Sequence, residues 1–294
     1  MMLDAVWDME TNDPDDFLTL LFLLGHPQVN LRAVTLCPGT PQQVGLVRRA
    51  VNTWFGRDIA IGAYQLERET KAVSPWHLDA YGAVAPSLDA RPGGELLLEQ
   101  CAEDMTLITG APLKNLGAAM QLEATTGRQL RLREAVIQGG FAGEGIVPRQ
   151  RQLPKFAGRV TCGSFNLNGD PRTAVDVQRH PGIHLRRFVS KNVCHGVIYD
   201  RTLHVLVAQR KDRNRGLQYI WQGMETYLQR RPAGKIIHDL VAACCAVDPA
   251  IATWAEVELY RERGEWGARL APGSGTWIIV DYDHARFLAT FLQE

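Results

Sequence analysis

The strongest constraint on this chain is a repeated grammar: a short apolar run, a capping residue followed by proline, then a longer segment of helical period. LDAVW (3–7) reads as a buried strand ending on Asp8. Asp13 then offers an N-cap and Pro14 a first helical residue, and FLTLLFLLGHP continues as a helix stopped by Gly25 and Pro27. The pattern repeats at once, with NLRAVTL (30–36) as a strand, Thr40-Pro41 as a cap, QQVGLVRRAVNTWFG as a helix and IAIGA (59–63) as a strand. MTLIT (105–109) precedes GAPLKNLGAAM, AVIQGG (135–140) reads as a strand ending in glycines, and Asp170-Pro171 opens a helix before HLRRFVS (184–190). Alternation of this kind implies an α/β fold with an open, mostly parallel, Rossmann-like sheet and helices on both faces. The C-terminal third departs from it. Residues 201–246 are expected to be mainly helical, VELY (257–260) and GTWIIVDYD (275–283) to form an edge hairpin, and HARFLATFLQE to close the chain as a helix. No repeat, low-complexity stretch or linker interrupts residues 1–294, which are expected to form one domain.

Charge narrows the partners. Thirty-two Lys and Arg balance 32 Asp and Glu, which gives no support to a nucleic-acid or membrane-surface role. The start, MMLDAVWDME, shows no basic stretch before an apolar core, and no window approaches the ~20 apolar residues of a bilayer span. Cysteines 37, 101, 162, 194, 244 and 245 form no CxxC pair and read as reduced, buried thiols, so a cytoplasmic location is expected.

The first predicted strand ends in an acidic run, Asp8-Met9-Glu10-Thr11-Asn12-Asp13-Pro14-Asp15-Asp16. One acid, Asp13, suffices to cap the helix. Crowding the others beside it costs mutual repulsion unless a cation offsets it, and an all-oxygen donor set on a long loop suits calcium, with magnesium next. Ligands of open α/β sheets bind beyond the carboxyl ends of the strands, where Thr109, Gly139-Gly140 and Asn166 also fall. Phosphoryl transfer of the haloacid-dehalogenase type also uses acids after the first strand, but it wants an Asp where Glu10 stands, and no later Lys and Asp pair is convincing.

The run resembles the amino-terminal signature of the inosine-uridine-preferring nucleoside hydrolases: a strand, an Asp-x-Asp-x-x-x-Asp-Asp run, then an apolar helix. Here Glu10 stands for the second Asp and the turn carries one extra residue. Further motifs match in the family's order. They are Leu107-Ile108-Thr109-Gly110-Ala111-Pro112, Ile137-Gln138-Gly139-Gly140, Ser164-Phe165-Asn166 with Asp170-Pro171, and Ile237-His238-Asp239-Leu240. The resemblance implies calcium ligation by Glu10, Asp16, the Thr109 main-chain oxygen and Asp239. It implies substrate contacts from Asp15, Asn166 and Asp239, and from Thr40, Gln138 and Ser164. Glu10 or Asp15 would take a proton from water, and His238 would protonate the leaving base. The implied activity is calcium-dependent hydrolysis of the N-glycosidic bond of a ribonucleoside or a 5′-modified derivative such as a 5′-monophosphate. The products would be ribose and a free base for salvage, and the enzyme a homodimer or homotetramer. A non-catalytic nucleoside-binding relative is the alternative.

Departures from the family cluster on one part of the substrate. Ser164 stands where an acid commonly meets the ribose 5′-hydroxyl, Gly158 where an Asn does, and Thr40 where an Asn often follows the second strand. The preceding segment, VPRQRQLPKFAGR (147–159), carries Arg149, Arg151, Lys155 and Arg159 without an acid. Two readings stay open: a solvated, mobile loop, or a receiver for a negative 5′ substituent. Trp76, Trp221 and Tyr227 are candidates for stacking on the base.

Overall fold

The computed structural model describes residues 2–293. Its strands are β1 (Leu3–Met9), β2 (Val29–Leu36), β3 (Ala60–Ala63), β4 (Arg91–Pro92), β5 (Thr106–Thr109), β6 (Leu132–Gln138) and β7 (Thr161–Cys162), followed by β8 (Ile183–Val189), β9 (Ile198–Tyr199), β10 (Lys235–Ile236), β11 (Ala252–Glu262), β12 (Glu265–Leu270) and β13 (Thr276–Tyr282). Eleven of them make one sheet in the order β4-β3-β2-β1-β5-β6-β8-β13-β11-β12-β7, and β9 pairs with β10 separately. From β4 to β13 every neighbour pair is parallel. The expected open, mostly parallel sheet is therefore the architecture.

Both faces of the sheet are buried, which is why its strands read as unbroken apolar runs. In β1 the side chains alternate: Ala5, Trp7 and Met9 join one core and Val6 the other. The first core is closed by the helices Pro14–Gly25, Arg215–Arg230 and His238–Val247, the second by Gly93–Gln100 and Lys114–Thr126. The helix Pro14–Gly25 is buried from Pro14 to Leu24, matching its lack of a polar face. Close approach to its partner needs glycine on both sides. A Cβ on Gly25 would lie 2.9 Å from the Gly216 Cα, and one on Gly216 would lie 2.5 Å from the Leu21 carbonyl oxygen.

Chain order creates a crevice. From β1 the chain moves outward through β2, β3 and β4, then returns to lay β5 on the other side of β1. Connections thus leave β1 and β5 in opposite directions, and the strand ends part at that switch point. Asp8 of β1 sits opposite Thr109 of β5 there.

Two local expectations change in detail. The strand that holds VELY does pair antiparallel with the last strand, but through residues 252–256, while VELY itself pairs with β12; β13 also pairs parallel with β8, and β12 and β7 lie beyond β11. The outer hairpin is β11–β12, turned tightly by Arg263 and Gly264, both at positive φ. Within 201–246 the helices Arg201–Ala208, Arg215–Arg230 and His238–Val247 are as expected, with the short strand β10 before the last. No helix among the described residues is long and apolar enough to cross a membrane. All six cysteines are free and buried.

Thr40 caps the helix Pro41–Arg48 through a reciprocal box: its Oγ1 accepts from the Gln43 N–H, and Gln43 Oε1 accepts from the Thr40 N–H. Thr40→Ala is therefore expected to lower stability by about 1 kcal/mol, seen as an earlier urea midpoint at unchanged slope. A second prediction concerns acid. His77 is wholly buried against Phe17 and Trp76 with its Nε2 unpartnered, and burial lowers its pKa to about 4. The unfolded chain takes up a proton near pH 6.5 that the folded one resists down to about 4, so this group's stabilisation is lost as pH falls through that window. His77→Phe should spare up to about 3 kcal/mol of the loss between pH 7 and pH 4, measured by urea unfolding at both values.

Candidate active site

Parallel β1, β5, β6 and β8 bring their carboxyl ends to one edge of the sheet. A cavity of about 410 Å³ opens there, lined by Glu10, Asn12, Asp13 and Asp16, by Gly110, by Gln138, Ser164, Phe165 and Asn166, and by Lys191, His195, His238 and Asp239.

Below the cavity Asp8 is fully satisfied by neutral donors. Thr35 Oγ1 donates to it at 2.6 Å, Asn115 Nδ2 at 2.8 Å and Thr109 Oγ1 at 3.3 Å. Burial nevertheless pushes its carboxyl up to about 6. The acids above it are built differently. Asp16 Oδ1 accepts from the Glu10 N–H at 2.9 Å, and Asp15 Oδ2 accepts from the Asp239 N–H at 3.0 Å. Asp15 Oδ1 and Asp239 Oδ1 are buried with no hydrogen-bond partner. Burial, reinforced by mutual repulsion, pushes the carboxyls of Asp16 and Asp239 well up, that of Glu10 to about 7 and that of Asp15 to about 6. Lys235 supplies the compensating charge at one side, 3.0 Å from Asp13 Oδ2; burial works against its ammonium, but the attraction of Asp15 and Asp13 outweighs it.

This donor set fits a hard cation. The donors are carboxylate oxygens, two are unsatisfied, and the Thr109 carbonyl ends the adjacent strand. Among the described residues no three His, Cys, Asp or Glu side chains already converge as a metal cluster, so the fit rests on donor chemistry and the orphaned oxygens. Gly110 lets the two walls meet: a Cβ there would lie 2.6 Å from Asp239 Oδ1 and 2.7 Å from the Trp7 ring.

Polar side chains around the carboxylates are held in place. Asn166 Nδ2 donates to the Gly110 carbonyl (2.8 Å), the Gln138 carbonyl (3.2 Å) and Gln138 Oε1 (2.8 Å). Ser164 Oγ accepts from the Gly140 N–H at 3.1 Å. His238 Nδ1 lies 3.5 Å from Cys194 Sγ, and its ring is 4.4 Å from that of His195. Burial, with Lys235, Lys191 and Lys155 nearby, lowers the His238 pKa to about 3. The imidazole is therefore neutral near pH 7, and an added cation would only depress it further. His238 can offer a neutral N–H to a departing base but stores no extra proton, which narrows the donor role expected of it.

Most of the site residues expected from the sequence converge here. Glu10, Asp16, Gln138, Ser164, Asn166, His238 and Asp239 line the cavity, and Asp15 and Thr109 lie buried at its base. Thr40 does not line it, because its hydroxyl is committed to the helix cap. The proposed stacking aromatics are also elsewhere. Trp76 packs in the core with its Nε1 on the Gly223 carbonyl, Trp221 stacks on His204, and Tyr227 packs against the core. Phe165, 69% exposed, is the aromatic ring at the cavity. Lys191, His195 and Lys235 were not anticipated; their only signal was position, just after β8 and just before the His-Asp helix. The basic segment is anchored, with Phe156 buried against Phe141 and Arg151 paired with Asp281 at 3.1 Å.

Comparisons with known proteins bear on the fold and on the family. A plant nucleoside hydrolase structure superposes with a TM-score of 0.75 over 100% of this chain and 98% of its own, at 16% identity. An inosine-guanosine nucleoside hydrolase gives 0.72 over 99% and 98%, at 18% identity. The inosine-uridine preferring nucleoside hydrolase of Bacillus anthracis gives 0.68 over the same shares, at 18% identity. An uncharacterized protein of Aquifex aeolicus (strain VF5) is 23% identical over 95% of this chain and 94% of its own length. The family profile described as inosine-uridine preferring nucleoside hydrolase matches residues 6–289. With that match spanning nearly its whole length, the chain belongs to the inosine-uridine preferring nucleoside hydrolases, a family of N-glycosyl hydrolases.

Proposed function

We propose that this protein hydrolyses the N-glycosidic bond of a ribonucleoside, or of a derivative modified at its 5′ position, with calcium held by Glu10, Asp16, the Thr109 carbonyl and Asp239. The observation that carries the reading is the pair of buried, unpartnered oxygens on Asp15 and Asp239, beside a cavity into which Glu10 and Asp16 open. A hard divalent cation, when bound, offsets the repulsion among these acids, takes vicinal hydroxyls as ligands and acidifies water.

The remaining chemistry belongs to the chain's own groups. As the bond from C1′ to the base nitrogen breaks, its electron pair leaves with the base and positive charge grows on the ribose ring. Carboxylates at the base of the cavity stabilise that charge in a site of low polarity. Water adds to C1′ and gives its proton to Glu10 or Asp15. Asn166, its amide fixed by three acceptors, and Asp15 orient the ribose hydroxyls. His238 donates its neutral N–H to the departing base, and Phe165 offers a face beside it.

Reducing-sugar release from a nucleoside panel tests this reading. Activity should disappear on chelation, return with calcium, and fall about a hundredfold or more in Asp16→Ala. Bound calcium with no base released from any substrate would favour a non-catalytic nucleoside-binding protein. Gly110→Ala should lower kcat/KM roughly a hundredfold without unfolding the chain, because the new methyl displaces Asp239. Unchanged kinetics with folding verified by circular dichroism would remove Asp239 from the site.

A further inference from the structure

The cavity is polarised. Its acids come from the end of β1 and the start of the helix His238–Val247, whereas Lys191 and His195 follow β8, three places along the sheet from β1 or ~14 Å at ordinary strand spacing. Lys155 stands behind that wall, outside the lining itself, with its Nζ 2.7 Å from His195 Nδ1. Lys191 Nζ donates to the Gly163 carbonyl at 2.8 Å. Neither lysine has a carboxylate within ion-pair distance among the described residues, in contrast to Lys235 with Asp13. Glu144, in the loop before the basic segment, is engaged by Gln152 Nε2 at 3.0 Å. Ser164 sits between the walls, and with its Oγ accepting from Gly140 its own O–H remains to donate.

We propose that Lys191, Lys155 and His195, with Ser164, form a subsite for a phosphoryl group carried on the sugar, so that the preferred substrate is a nucleoside 5′-monophosphate. The inference rests on the reading of the acidic end as the seat of the ribose diol. A ribose seated there turns its 5′ carbon away from the acids, towards the opposite wall. A 5′-hydroxyl has no use for two ammonium groups, whereas a phosphate ester carries about −1.5 to −2 charge at pH 7 and three acceptor oxygens. The wall is also preorganised. Phe156 is buried next to Lys155, and its ring packs on His195 at 5.4 Å, which fixes the approach of the Lys155 stem. In the balanced reaction water adds to C1′, the electron pair of the broken bond and one proton go to the base, and ribose 5-phosphate leaves with its ester intact.

The test compares kcat/KM for base release from nucleosides and their 5′-monophosphates with calcium present, beside calorimetric binding of ribose 5-phosphate and of ribose. The monophosphate should be preferred by about tenfold or more, and ribose 5-phosphate should bind tighter than ribose by a similar factor. Lys191→Met should reduce both ratios about tenfold and Lys191→Arg should restore them in part; Lys155→Met, at an exposed position, gives the same reading should Lys191→Met fail to fold. Inorganic phosphate should compete with ribose 5-phosphate, and appearance of ribose 1-phosphate would mean that the anion site serves a phosphate nucleophile, overturning the inference. Equal or better turnover of the unphosphorylated nucleoside, with ribose 5-phosphate bound no tighter than ribose, overturns the subsite alone. Release from neither substrate overturns the hydrolytic reading, and the two sugar affinities still decide the subsite.

Discussion

Asp15, Asp16 and Asp239 are nearly sealed from solvent in one crevice, with Glu10 at its mouth and Lys235 as the cation at its side. Removing carboxylates from water costs several kcal/mol each unless hydrogen bonds and opposite charge replace the lost hydration. Backbone N–H groups of Glu10 and Asp239 meet part of that need, and two oxygens go without. A chain can hold such an arrangement only where its fold leaves no escape. Here two helix starts and a strand end meet at a switch point, and the hydrophobic cores on both faces of the sheet hold them together.

Asp8 shows what a purely structural acid looks like in the same place. Its three neutral donors come from β2, from β5 and from the helix Lys114–Thr126, so one carboxylate ties four elements just beneath the cavity. Nothing about it asks for a cation. The difference from its neighbours is one of satisfaction: Asp8 has its donors, whereas Asp15 and Asp239 each keep a buried oxygen without one. The loop between them also settles on itself despite its extra residue: Glu10 N–H reaches Asp16, Asn12 reaches Glu10 Oε2, and Asp13 caps the helix.

Much of this was legible from sequence because parallel strands buried on both faces write themselves as apolar runs, and Asp-Pro or Thr-Pro pairs mark helix starts. Asp13-Pro14, Thr40-Pro41 and Asp170-Pro171 all cap helices. The acidic residues were found because their density had no structural excuse. Other features left no such mark. The hairpin β11–β12 turns on Arg-Gly, not on an Asn-Gly or Asp-Gly signal, so nothing in the sequence marks β12, and β13 reads as lying nearer the edge than it does. Lys191 opens a four-residue helix with no motif and His195 follows as its C-cap, and only the sheet order brings them to the cavity. Thr40 could be a cap or a contact on sequence grounds, and its capping box decides in favour of the cap. Trp76 and Trp221 are aromatic residues on helices whose faces turned out to be occupied by other rings.

The central claim is that this crevice is made for a hard cation, and calorimetric titration of calcium into chelator-treated protein, paired with the unfolding temperature, addresses it most directly. The account predicts one calcium per chain and an unfolding temperature that climbs with calcium concentration, since binding to the folded state alone stabilises it by mass action. No heat of binding and no shift in unfolding temperature up to millimolar calcium would contradict it.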